Sequence, residues 1–186
     1  DEEQQQSEFS ASVALIYKPS QKFTNRLTYS KYSIERTYNL YTDVQDDFKG
    51  NRKSLTYFGN YNFDLDNSVV FGFDTEFDMM NYKQTSALPG FNKEGVTTNS
   101  IYTDYQKRFT KNLYGTLGAR LDDHSLVGKE DSHRATLAYL FDDKQTKLKA
   151  SYGTGFRFPS LYEAYYVYAA HPGTRDILRA EKSKSF

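Results

Sequence analysis

From Ser68 to Met80 the chain alternates almost without a break. Val69, Phe71, Phe73, Phe77 and Met79 fall on one face, interrupted only by Thr75, and Ser68, Val70, Gly72, Asp74, Glu76, Asp78 and Met80 fall on the other. Period two means strand. The polar face then sets a strong condition. Asp74, Glu76 and Asp78 stand two residues apart, and in a dry core each unpaired carboxylate would cost several kcal/mol. That face must meet water or basic neighbours. A hydrated barrel lumen satisfies the condition, and so does the solvent side of a soluble sandwich.

The same alternation predicts further strands over 9–17, 23–34, 52–63, 98–107, 113–122 and 133–141, and an eighth carrying Leu148, Ala150 and Tyr152 against Lys147, Lys149 and Ser151. Polar turns at 18–22, 64–67, 108–112 and 142–145 alternate with longer stretches at 35–50, 81–97, 123–132 and 155–180 that read as loops. Short turns on one side and long loops on the other are expected of an outer-membrane barrel, whose two ends face different compartments. Strands of about nine to twelve residues are long enough to cross a bilayer when tilted. The fold class expected is therefore all-β: an antiparallel transmembrane β-barrel segment of about eight strands.

Composition agrees with this and narrows the function classes. The 186 residues hold 24 basic and 24 acidic side chains, so no net field or basic run is available for nucleic acid. Cysteine is absent, which removes disulfides and thiolate metal sites. No apolar run is long enough for a spanning helix, but barrel strands hide their membrane signal in alternation. The 17 Tyr and 14 Phe suit the aromatic girdles of such a barrel. The start, D-E-E-Q-Q-Q, lacks the basic and apolar regions of a signal peptide, as expected of a mature protein or an internal piece.

Little in the chain suggests catalysis or a resident metal. Asp64 and Asp66 in D-L-D-N lack the glycine and downstream glutamate of a calcium loop, so a hairpin turn is expected there. His124, His133 and His171 lie in or beside loops. Asp122, Asp123, His124 and Ser125 are consecutive, and successive strand residues point to opposite faces, so they do not converge on one atom. No cofactor, metal or enzymatic activity is expected.

The C-terminal quarter carries the most specific pattern, Y-G-T-G-F-R-F-P-S-L-Y-E-A-Y from Tyr152 to Tyr165, a loop, then L-R-A-E-K-S from Leu178. It resembles the TonB-dependent outer-membrane receptors, and within them the vitamin B12 receptor and its siderophore-receptor relatives. Tyr152, Gly153, Gly155, Phe156, Arg157, Pro159, Ser160, Leu161, Glu163 and Tyr165 match the family pattern, as do Leu178, Glu181, Lys182 and Ser183; Phe158, Ala164 and Ala180 depart from its usual Ala, Leu and Pro. A second match, G-A-R-L-D-D-H-S from Gly118 to Ser125, resembles a strand end of the same family, and the likeness covers mainly residues 68–186.

The resemblance implies a plugged barrel of twenty-two strands in the bacterial outer membrane. Residues 1–186 would be part of one barrel domain, with the opening of a ninth strand at Glu181 and with plug and terminal strands outside the chain. It also implies uptake of a scarce bulky metal chelate, cobalamin first and a ferric siderophore second, with the TonB system engaged through the plug. Tyr162, Tyr165, Tyr166 and Tyr168 are the expected contact surface in an extracellular loop, the one place where helix is expected. Asp74, Glu76, Asp78 and Arg120 are expected to face the lumen. Two other classes remain open on the residues alone: a small self-closed structural or adhesive barrel, and a soluble β-sandwich binding module.

Overall fold

The structure is a computed structural model. It describes residues 3–40, 44–84, 91–143, 145–170 and 178–186, without the side chains of residues 40, 44, 84, 91–93 and 166–170. The strands are β1 (Glu3–Ser20), β2 (Phe23–Leu40), β3 (Val44–Asn62), β4 (Asn67–Gln84), β5 (Phe91–Arg108), β6 (Leu113–His124), β7 (Gly128–Leu140), β8 (Lys147–Arg157) and β9 (Glu181–Ser185), with one helix, α1 (Leu161–Ala170), between the last two. They form a single antiparallel sheet in which every strand pairs with its sequence neighbour, from β1 at one edge to β9 at the other. Among the described residues α1 is the only helix, at the place where one is expected.

The two faces of the sheet differ as the alternation in β4 requires. On one, Val13, Leu15, Leu27, Phe73, Phe77, Ile101, Leu117, Leu137 and Leu148 are all exposed. A continuous apolar belt of this extent is stable against lipid and not against water. Thr75 and Asn99 fall within it and satisfy each other, Thr75 Oγ1 donating to Asn99 Oδ1 at 2.6 Å. Towards one end of the belt Tyr61 and Phe63 meet edge to face at 4.9 Å and Tyr139 and Phe141 at 5.1 Å, with exposed Phe109 between these pairs in chain order. These rings are placed as an interfacial girdle.

The turns at that girdled end share one device. Ser20, Asp64, Thr110 and Asp143 each accept, through a side-chain oxygen, the backbone N–H two residues on, at 3.3, 2.7, 3.2 and 2.9 Å. Such a side chain substitutes for a turn hydrogen bond and closes the hairpin. It also answers the D-L-D-N question: Asp64 spends its carboxylate on Asp66 N and Asn67 Nδ2, and Asp66 pairs with Arg108.

The opposite end corrects the reading of long loops. Much of 35–50, 81–97 and 123–132 is strand: β2 runs to Leu40 and β3 starts at Val44, β4 runs to Gln84 and β5 starts at Phe91, and β6 and β7 are separated by three residues. Residues 85–90 and 171–177 lie outside the described residues. Strands of 18 and 19 residues span roughly 60 Å, about twice what a tilted crossing needs. Beyond the belt the outer face no longer meets lipid, so the apolar stripe on that face ends while the hydrogen-bond ladder continues. Cross-strand polar pairs replace apolar ones there, Lys49 with Glu35 at 3.1 Å and Thr37 with Asp47 at 2.7 Å.

The pairing of β8 also differs from expectation. β8 keeps β9 as far as Arg157, although pairing was expected to end near Gly155, and it is β7 that β8 loses, after Gly153. Between β6 and β7 the turn closes on Gly128 with φ 92°. A β-branched side chain is strained in that region, so Gly128→Val is expected to destabilise the barrel by about 1–2 kcal/mol. Urea unfolding of the refolded full-length protein measures this.

Candidate functional site: an ionic wall and an aromatic cluster

The polar face of the sheet is a wall of paired charges. Asp74, Glu76 and Asp78 meet basic neighbours from both sides. Arg52 on β3 grips Asp78 with two hydrogen bonds, at 2.6 and 2.8 Å, and reaches Glu76 at 3.4 Å. Arg120 on β6 reaches across β5 to donate to Asp74 at 2.8 Å, while its Nε donates to Asp122 at 3.0 Å and its guanidinium lies over the Tyr102 ring. Ser100 Oγ donates to the buried Asp122 at 2.6 Å. One strand further on, Arg134 grips Asp104. The four expected lumen residues thus share one face, joined by Arg52, Asp104, Asp122 and Arg134.

Gly118 belongs to this wall for a steric reason. A Cβ there would stand 2.1 Å from Asp104 Oδ1, the oxygen that receives Arg134. The glycine opening the G-A-R-L-D-D match therefore makes room for an ion pair between the strands on either side of β6.

Above the ionic wall the same face becomes aromatic. Phe48 stacks on Tyr82, centroids 4.5 Å apart at 28°, and Tyr38 meets Phe48 edge-on at 5.9 Å. These rings come from three adjacent strands, and Tyr82 is 3% exposed. Sequence reasoning missed all three, because residues 35–50 and 81–97 read as loops. The signal was present: Tyr38 continues the parity of Tyr32 and Ile34, Phe48 that of Arg52, and Tyr82 that of Asp78 and Met80.

The chain leaving β8 folds over this wall. Phe158 stacks on the buried His124 at 4.5 Å and 29°. Pro159 follows, and Ser160 caps α1: its Oγ accepts from Glu163 N at 3.2 Å, while the Glu163 carboxylate accepts from Ser160 N at 2.7 Å. This reciprocal capping box fixes the helix start. Arg157 then ties three elements together, donating to both oxygens of Glu163 at 3.0 and 3.2 Å and to both oxygens of Glu181 at 3.1 Å. Residues of the family pattern thus build one clasp at the neck of the loop. Its neighbours Gly155 and Ser183 lie opposite each other in the β8–β9 ladder, as do Gly153 and Ser185 and, with its head group on Glu130, Lys182 and Phe156.

All three departures from the family pattern sit in packed positions: Phe158 stacks on His124, Ala164 is 1% exposed, and Ala180 is also buried.

The four-tyrosine surface divides. Tyr162 is 41% exposed and its ring lies 6.3 Å from Phe48. Tyr165 is buried. The side chains of Tyr166 and Tyr168, and all of His171, lie outside the described residues. Between the wall and the segment 158–162 is a recess of about 680 Å³, bordered by Tyr32, Arg52, Asp78, Met80, His124 and Tyr162. The consecutive Asp122, Asp123, His124 and Ser125 do not converge: Asp122 serves Arg120, Asp123 faces Lys129, His124 Nδ1 accepts from Leu126 and Val127 N–H, and Ser125 Oγ accepts from Thr97 N.

The clasp has a pH signature. Arg157 beside it, with the Ser160 N–H, holds the Glu163 carboxyl at about 2, against an ordinary 4.5. The same guanidinium lowers Glu181. A lowered carboxyl stabilises the folded clasp fully above the ordinary value and loses that contribution as pH falls through the folded one. A nitroxide at Leu161→Cys is therefore expected to stay immobile from neutral pH to about 4.5 and to gain mobility between there and about 2. Glu163→Gln should remove most of that pH response.

Comparison with known proteins agrees with the fold. The family model described as TonB dependent receptor-like, beta-barrel matches residues 1–186. No curated protein matches the chain. Among solved structures, the RagAB peptide transporter is similar with a TM-score of 0.57 at 14% identity, over 84% of this chain and 23% of that one. The ferric enterobactin receptor PfeA from Pseudomonas aeruginosa is similar at 0.53 and 13%, over 87% of this chain and 34% of its own. The copper transporter OprC gives 0.51 and 12%, over 86% and 38%. At such identities the likeness concerns the fold alone, and the chain spans well under half the length of each. With an apolar belt on one face, an ionic wall on the other and a family match over its whole length, the chain belongs to the TonB-dependent receptors, as part of their β-barrel.

Proposed function

We propose that the chain forms part of the barrel wall of an outer-membrane transport receptor that captures a bulky metal chelate in the vestibule above the ionic wall. The observation that carries this is the aromatic cluster of Tyr38, Phe48 and Tyr82 on the same face as the Arg52–Asp78 pair, with Tyr162, which borders the recess beside α1, 6.3 Å from Phe48. Ring faces bind flat, polarisable groups, and a few convergent charges orient them. Transport then requires a plug in the lumen and energy from TonB, as the family membership implies. The soluble sandwich explains neither the family match nor the belt, and the self-closed small barrel does not explain the family match.

Cobalamin and ferric catecholate siderophores are the two ligand classes to test first. The sequence likeness to the vitamin B12 receptor supports the former. Its residues, the G-F-D of Gly72 to Asp74, the G-A-R-L-D-D of Gly118 to Asp123 and the E-K-S-K of Glu181 to Lys184, lie in strands that hold the wall together, so they speak to ancestry more than to specificity. The second class is supported by the aromatic wall and by the fold likeness to a ferric enterobactin receptor. Uptake of cobalt-labelled cyanocobalamin and of an iron-labelled tricatecholate by cells carrying or lacking the full-length receptor decides the matter. Uptake of one of them that needs both the receptor and TonB is the expected result. If neither is taken up in a receptor-dependent way, the chelate reading fails.

A further inference from the structure

Where the apolar belt ends on β2 and β3, the outer face carries a like-charged pair. Lys31 and Lys53 stand opposite each other in the β2–β3 ladder, and both are exposed. Below them, towards the tight turns, Tyr29 opposes Leu55; above them Ser33 opposes Asn51. We propose that this patch binds the phosphate headgroup of a membrane lipid, with Lys31, Lys53, Ser33 and Asn51 around the phosphate and the acyl chains on the belt below. The site is independent of the chelate reading and rests only on the barrel crossing a membrane.

Three observations support the site. First, like charges directly opposite across an antiparallel pair repel. Further up the same face Glu35 opposes Lys49 and the two pair at 3.1 Å, whereas neither Lys31 nor Lys53 makes an ion pair among the described residues. Their flanking strands offer only Ala11 and Phe77 in that row, so the anion that relieves the repulsion has to come from outside the sheet. Second, Ser33 and Asn51 make no side-chain hydrogen bond among the described residues. The patch therefore presents two ammonium groups, a hydroxyl and an amide and no carboxylate, which suits a group that only accepts, such as phosphate. Third, the patch sits where the outer face turns from apolar to polar, the level at which lipid headgroups lie. A lone lysine there would simply reach up to water. Two that face each other directly above Tyr29 and Leu55 match a ligand with an anionic head and an apolar tail, and that favours a lipid over a free anion.

The consequence for stability changes sign with the surroundings. In a neutral detergent, Lys31→Gln with Lys53→Gln removes a repulsion, so unfolding in urea is expected at the same or a higher concentration. In a bilayer that holds the phosphorylated lipid, the same double variant loses a ligand bound to the folded state and unfolds at a lower one. A merely structural role for the lysines would give one sign in both.

The test uses the full-length receptor in bilayer discs of phosphatidylcholine containing lipid A, a glycolipid with two phosphates, or its dephosphorylated form. Native mass spectrometry reads which lipid the released receptor retains. The unaltered receptor is expected to keep lipid A in preference to the dephosphorylated glycolipid, and the double glutamine variant to keep about 10–30-fold less of it. Lys31→Arg with Lys53→Arg should retain as much as the unaltered protein, and so should Lys49→Gln, whose lysine already has a partner. Equal retention of lipid A by the double glutamine variant, or of the two glycolipids by the unaltered receptor, overturns the proposal. An equal loss in Lys49→Gln also overturns it, because the overall charge of the face would then hold the lipid. Displacement of lipid A by inorganic phosphate would make the patch a free-anion site and defeat the lipid assignment. If the double glutamine variant is destabilised or fails to fold in neutral detergent, the lysines serve the fold and the proposal is wrong.

Discussion

Arg120→Met is expected to lower the unfolding free energy of the full-length receptor by about 3 kcal/mol. The substitution keeps most of the side-chain length and removes the cation that serves two carboxylates, Asp74 at 2.8 Å and Asp122 at 3.0 Å. Of these Asp122 dominates, since its side chain is only 5% exposed and has no other cation within salt-bridge distance among the described residues. A charge left alone in such a place costs more than the pair was worth, which is why the expected loss exceeds that of a surface ion pair. Arg120 is itself partly exposed, so the lower end of the range for a broken buried pair applies. Replacing Asp122 with Leu in the same protein should recover a large part of the loss, because the orphaned charge goes with it. Urea titrations of the three proteins measure the difference.

Leu117→Arg is expected to cost a similar amount, about 2–4 kcal/mol, for the opposite reason. Leu117 is 63% exposed in this chain and lies midway along the apolar belt, on the face away from Arg120. An arginine there meets hydrocarbon. The same residue at Thr116, one position earlier, turns to the hydrated face, where the cost should be a small part of that. The contrast between adjacent positions tests the parity of β6 directly, again by unfolding in urea in a lipid or detergent environment.

The belt-crossing part of each strand was legible in the sequence because lipid and lumen make opposite demands on successive residues. β4 shows this most clearly: Phe71, Phe73 and Phe77 go to one solvent and Asp74, Glu76 and Asp78 to another. Beyond the belt that conflict ends. Glu35 and Lys49, or Thr37 and Asp47, are compatible with a loop as readily as with a ladder, and only hydrogen bonding between neighbouring strands distinguishes them. Tyr38, Phe48 and Tyr82 were lost with those stretches, although they make the vestibule.

The loop after β8 was legible in another way. Ser160 and Glu163 carry a helix-start signature, and Arg157 and Glu181 belong to a recognisable pattern, but nothing local says that one guanidinium joins Glu163 to Glu181. Tyr165 shows the limit of reading a cluster from composition. It shares a short helix with Tyr162 and yet is buried where Tyr162 is 41% exposed, a difference that the run of tyrosines does not encode.

The most direct test of the account is a nitroxide scan along β4, from Phe71 to Met80, in the full-length receptor reconstituted in lipid. Collision with dissolved oxygen reports hydrocarbon, and collision with a polar nickel chelate reports water. The expected result is a period of two, with oxygen maxima at positions 71, 73 and 77 and nickel maxima at 74, 76 and 78. Oxygen maxima at 74, 76 and 78, or no alternation at all, would contradict it, since the ionic wall would then face lipid or the sheet would lie in water on both sides.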